Sequence, residues 1–229
     1  MRKNSIKVLV GLLFVLTILP NLAFANSNED SVEELDQSQI DKLIEEKFSY
    51  NPQDLRAATE EETDLIVDTA NEILEENPKA VIDVDKLLDE LNLSDVTVVT
   101  EEELNQGTII QPMVALGGVG FQNFSRDSKL FNAQPQVINY LPLTTIDQIG
   151  GYIKTYSILP GTSSYLLQKK AYYSIAKVKT GVTKVGGKLS VPHYNRNAKM
   201  TMDGIVLDGG KTTAVTNTIV SKTNGSFTN

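Results

Sequence analysis

The apolar residues of this chain change their period near residue 100, and that change limits the folds open to it. Between Ser31 and Leu91 they recur every three to four residues. Beyond Val119 they alternate, and glycine-rich turn signals interrupt them about every eight to twelve residues. A stripe of helical period cannot line one face of a strand, nor the reverse. The expected class is therefore α+β, with a helical N-terminal segment followed by an antiparallel all-β domain, a sandwich or a barrel.

Charge changes at the same place. All 15 glutamates lie at or before Glu103. Residues 26–112 hold 25 acids and 5 bases, whereas residues 113–229 hold 4 acids and 13 bases. The sequence pI of about 4.8 thus conceals a basic C-terminal half.

Three helices are predicted in the acidic half. From Ser31 to Phe48, Val32, Leu35, Leu43, Ile44 and Phe48 form a stripe that Asp36 to Gln39 interrupt. Thr59-Glu60-Glu61-Glu62 has the spacing of a capping box, and its three carboxylates suit the positive end of a helix dipole. Leu65, Ile66, Ala70, Ile73 and Leu74 continue that helix until Asn77-Pro78 stops it. A third helix is expected over Val84–Leu91, then a strand over Asp95–Thr100 and a last turn capped by Thr100 and Glu103.

In the basic half, Gly186-Gly187 and Asp208-Gly209-Gly210 both look like tight hairpin turns, because each offers the positive φ angles such turns need. Tyr152, Lys154, Tyr156 and Ile158 alternate with Ile153, Thr155, Ser157 and Leu159, so one strand there has two unlike faces. The uncharged run from Ile109 to Gly120 reads either as a processing junction or as the first strand of the β core.

The N-terminus carries Arg2, Lys3 and Lys7, an apolar run from Val8 to Leu19, and Ala23-Phe24-Ala25. That is the order of an export signal, and the run is shorter than the about 20 residues needed to span a bilayer. The expected division is residues 1–25 signal peptide, 26–112 acidic helical segment and candidate pro-region, 113–229 basic β domain. The chain has no cysteine, which suits secretion from a Gram-positive bacterium better than a disulfide-forming pathway.

Catalytic and metal motifs are weak. The Gly210-Lys211-Thr212 tripeptide lacks the upstream glycine of a phosphate loop, since Ile205 stands there. Leu87 and Leu88 break the calcium-loop spacing of Asp83, Asp85 and Asp89. One histidine, His193, and no cysteine cannot build a usual zinc site, and beside Pro192 it reads as a surface residue at a strand end. No cofactor, metal or catalytic residue is expected.

The remaining candidate site is a basic, tyrosine-bearing surface: Lys169, Lys170, Tyr172, Tyr173, Lys177 and Lys179, joined by Lys184, Lys188, Arg196 and Lys199. Its natural targets outside a cell are anionic wall polymers or membrane surfaces rather than nucleic acid, with the acidic half as an intramolecular partner. The leading expectation is a secreted, non-catalytic cationic β domain that binds the cell envelope, of antimicrobial or toxin-like kind, carried with an acidic pro-segment. The alternative is a permanent two-domain extracellular structural or interaction protein, and a secreted hydrolase is third. On the leading reading, residues 119–229 should be a self-contained β domain.

Overall fold

In the computed structural model, residues 33–106 and 117–228 are described; the export signal expected over residues 1–25 and most of the 109–120 run lie outside them. Strands dominate, and all pairings are antiparallel.

Helix α1 spans Gln37–Phe48. The residues that interrupt the sequence stripe are its start: Asp36 is the N-cap, and its side chain and that of Gln39 form a reciprocal capping box. Helix α2, Glu60–Glu76, begins at the Thr59–Glu62 box and ends at Asn77. Helix α3 covers Val84–Glu90, with Asp83 as N-cap rather than metal ligand. Strand β1, Val98–Thr100, leads into α4, Glu101–Gln106, where the Thr100 hydroxyl accepts from the Glu103 amide.

Arg56 makes two parallel bonds to Glu62, at 2.8 and 2.9 Å, and a third to Asp95 at 2.6 Å, so it ties the start of α2 to the turn before β1. The Arg56 guanidinium, with the Thr59 amide, lowers the Glu62 carboxyl from its usual 4.5 to about 2. A depressed carboxylate stabilises the fold above its unfolded value and loses that contribution as pH falls towards its folded one. Acid titration followed by circular dichroism should therefore show part of the stability disappearing between about pH 4.5 and 2, and Arg56→Ala should flatten that part of the curve. Both side chains are partly exposed, so the effect is about 1 kcal/mol or less.

The remaining strands are β2 (Gly117–Arg126), β3 (Leu130–Asn139), β4 (Thr145–Ile158), β5 (Ser164–Lys179), β6 (Gly181–Lys184), β7 (Leu189–Pro192), β8 (Ala198–Asp208), β9 (Lys211–Ser221) and β10 (Phe227–Thr228). Six of them form a curled sheet in the order β1-β5-β4-β8-β9-β10; β2, β3, β6 and β7 form a second sheet. Between the sheets lies a core that includes Val119, Phe121, Phe131, Val137, Ile149 and Ile153. The end of the 109–120 run, from Gly117, enters this core as β2.

The β8–β9 hairpin turns at Gly209 and Gly210, both at positive φ, with Asp208 opposite Lys211. The Gly186-Gly187 hairpin is not formed. β6 and β7 each pair with β3 instead, side by side along it. Pro135 of β3 has no amide proton to give at that level, and the Gln134 side chain donates to the Gly186 and Gly187 carbonyls at 2.8 and 3.2 Å. The glycines therefore make a loop that interrupts one long partner of β3.

His193 is also corrected. It is buried, not a surface residue: its Nε2 bonds the Asp127 carbonyl at 2.9 Å, and its Nδ1 accepts from the Asn195 amide at 3.0 Å. It holds together the two loops at one end of the β3–β7 pair, where Leu130 faces Pro192.

The two central strands are buried on both faces. β4 is covered from Gln148 to Ser157, and β8 from Ala198 to Leu207. The second sheet covers one face, and residues of the acidic half cover the other. Ile40 and Ile44 of α1 pack on Ile205, while Leu55, Ala57, Val99 and Leu104 pack with Tyr156, Tyr165 and Leu167. β1 extends the sheet along β5, and Ala58 and Thr97 bond the two backbone groups of Leu167 at 2.9 and 3.0 Å. Residues 34–229 thereby form one compact unit.

A cross-strand glycine pair leaves no room for a side chain on Gly151. Gly151 stands opposite Gly204, and a Cβ on Gly151 would lie 2.1 Å from the Asp203 carbonyl oxygen. Tyr173, paired with Gly151 on the other side, reaches across to donate to that same oxygen at 3.1 Å. Since backbone rather than a mobile side chain blocks the space, Gly151→Ala should destabilise by at least about 3 kcal/mol, measurable by urea denaturation.

Candidate functional site

On the helix-covered face of the large sheet, alternation brings Tyr152, Lys154 and Tyr156 of β4 beside Lys199, Thr201 and Asp203 of β8 and Thr216 of β9. Lys154 lies directly opposite Thr201, so its side chain reaches diagonally to Asp203, where Nζ sits 2.6 Å from Oδ2. The two side chains are 8% and 7% exposed. Such a pair is tolerated in a dry site only where the remaining polar atoms are satisfied.

They are satisfied from three directions. The Tyr50 hydroxyl donates to Asp203 Oδ2 at 2.8 Å, and the Thr216 hydroxyl donates to Oδ1 at 2.7 Å. The Tyr50 ring also lies over the ammonium, with its centroid 4.0 Å from Lys154 Nζ. Tyr50 comes from the acidic half. Ser49, at φ 58, ends α1 in a left-handed turn that directs the following residue down onto the sheet.

Burial, reinforced by the Asp203 charge, pushes the Tyr50 phenol far above its ordinary range, so it stays a donor. Burial is also the largest influence on Lys154 and acts to lower it, but the adjacent carboxylate outweighs burial and holds the ammonium above its ordinary value. Beside the pair is a cavity of about 430 Å³, lined by Phe48, Tyr50, Leu55 and Leu104 from the acidic half and by Tyr156 and Thr201 from the sheet.

A second buried cation lies one step along β8. Lys199 is 1% exposed, pairs with Glu101 at 3.2 Å and stands 4.4 Å above the Tyr165 ring. It is not part of a basic surface. At the other end of the face, the Tyr152 hydroxyl donates to Asp41 at 2.6 Å and accepts from Gln37 at 3.0 Å, which seats α1.

The six residues that the sequence marked for binding do not share one surface. Lys169, Lys177 and Lys179 are exposed. Lys169 and Lys177 are eight residues apart on one strand, about 26 Å at about 3.3 Å per residue. Lys170 is half-buried and donates to the Pro52 carbonyl. Tyr172 packs edge-on against Tyr152 with ring centroids 5.6 Å apart. Tyr173 points to the opposite face, into the core between the sheets, because consecutive strand residues alternate.

Sequence reasoning missed the Lys154–Asp203 pair. The available signal was context. Asp203 is one of four acids in the basic half, and it sits mid-strand among Met200, Met202, Ile205 and Val206. A charge in such a run has to be buried and paired.

No family model matches this chain, and neither does any curated protein. Among solved structures, the E. coli curli protein CsgC is similar at 13% identity, covering 44% of this chain and 96% of that one with a TM-score of 0.30. The solution structure of R. palustris CsgH matches at 13% identity, over 44% of this chain and 89% of that one, with a TM-score of 0.25. At these values neither likeness bears on the function of this chain. Among the described residues, no cluster of histidine, cysteine and carboxylate side chains could hold a metal ion, and no helix is long and apolar enough to cross a membrane.

Proposed function

We propose that this chain is a non-catalytic extracellular structural or interaction protein whose acidic segment stays with the β sheets permanently, rather than a cationic factor released from an acidic pro-segment. The observation that carries this reading is the seam above the Lys154–Asp203 pair. A removable mask would be held mainly by charge and would leave a finished surface behind. This seam is made of edge-strand pairing, apolar packing around Ile40, Ile44 and Leu104, and the Tyr50 bond to Asp203. Taking it away would open a buried ion pair and a face of tyrosines and leucines to water.

The non-catalytic reading is supported by the commitments of the reactive groups. His193 is bonded at both ring nitrogens, and Lys154 and Asp203 are each other's partners beneath Tyr50.

The test is the state of the protein recovered from culture medium. A mature chain beginning near Asn26 is the expected result. If the chain is nicked within residues 107–116, the two pieces should still elute together at about 1 M salt, where the screening length is only about 3 Å. A free basic fragment that stays folded and monomeric would sink the proposal.

A further inference from the structure

We propose that Lys154 and Asp203 become joined by an intramolecular amide bond between Lys154 Nζ and Asp203 Cγ, which would link β4 covalently to β8. The reacting groups are already in hydrogen-bond contact at 2.6 Å. They are held there by two neighbouring strands, and fixed proximity of this kind removes most of the entropic barrier to a reaction between two groups. Both side chains are more than nine-tenths buried, under Tyr50 on one side and within the sheet on the other.

The neutral amine and carboxylic acid are the reactive forms, and one proton transfer along the existing hydrogen bond makes both. The step begins when the proton on Nζ crosses the existing hydrogen bond to Oδ2, leaving a free amine beside a carboxylic acid. The amine lone pair attacks Cγ. Charge then develops on Oδ1, where the Thr216 hydroxyl already donates, while Tyr50 stands at Oδ2, the oxygen that will leave. A proton passes from the nitrogen to the Oδ2 hydroxyl, the C–O bond breaks, and one water leaves into the adjacent cavity. The product is a secondary amide; nothing is oxidised or reduced, and no co-reactant is needed. The chain has no cysteine. An amide here would provide the covalent staple that exported β proteins otherwise obtain from disulfides.

The experiment is mass spectrometry of the full secreted chain after complete denaturation. The expected mass is lower than that of the sequence by one water. Trypsin should fail to cut after Lys154, and a branched peptide should join residues 130–169 to residues 200–211. In Lys154→Arg the full mass and the separate peptides should return, a readout that does not depend on the variant folding. A full-mass wild-type chain cut at Lys154 overturns the proposal. So does loss of one water without a branched peptide, because Asp203-Gly204 and Asp208-Gly209 can each lose water by closing to a succinimide.

Discussion

Expressed without the acidic segment, residues 117–229 should fail to reach a folded state. Removing α1, β1 and the segments around them would expose Tyr156, Tyr165, Leu167 and Ile205 on the outer face of the sheet together with Tyr152, now buried under α1, and Leu159 and Leu166 beneath α2 and α3. At about 1.5–3 kcal/mol for each large apolar side chain, these seven together rival the about 5–15 kcal/mol that holds a whole domain. The buried pair would also lose Tyr50. Far-ultraviolet circular dichroism and thermal melting of the fragment should show no cooperative transition, and adding residues 26–106 in trans should restore one even at high salt. A fragment that melts cooperatively by itself would return the acidic half to the role of a dispensable mask.

The second large effect is expected at Asp203. Asp203→Ala leaves the Lys154 ammonium buried without a counter-charge, and the Tyr50 and Thr216 hydroxyls lose their acceptor. Breaking a buried pair from one side costs about 3–5 kcal/mol. In a unit of this size that corresponds to a melting temperature lower by about 6–20 °C. Tyr50→Phe removes only the hydroxyl, keeps the ring over Lys154, and should cost less, about 1.5–3 kcal/mol. Calorimetry of the three proteins should rank them wild type, Tyr50→Phe, Asp203→Ala. An Asp203→Ala protein as stable as wild type would mean that water reaches Lys154 and that the seam is open.

Much of the local structure was readable from short-range chemistry. The Thr59–Glu62 box, the Asn77 stop, the Asp208–Lys211 turn and the two faces of β4 each depend on residues within a few positions of one another. The errors came where a distant partner decided. Gly186-Gly187 has hairpin composition, but β3 binds both flanking strands, and Pro135 and Gln134 determine where the pairing breaks. His193 looks like a strand-end surface residue until Asp127 and Asn195 enclose it. Tyr173 and Lys199 looked available because a lysine–tyrosine run says nothing about which neighbour covers each face.

The sequence alone determined the division of the chain into helical and strand-forming halves, since a period of 3.6 and a period of 2 cannot share one backbone geometry. It also determined the opposition of charge between them. Only the tertiary structure decided what that division is for. Burial is set by contacts between residues far apart in the chain, and the acidic half turned out to supply the roof, the edge strand and Tyr50 for a sheet that has no exposed central face. Lys154 and Asp203 are 49 positions apart, and no local pattern links them; their pairing exists because β4 and β8 lie side by side in register, under a helix cap from the other half.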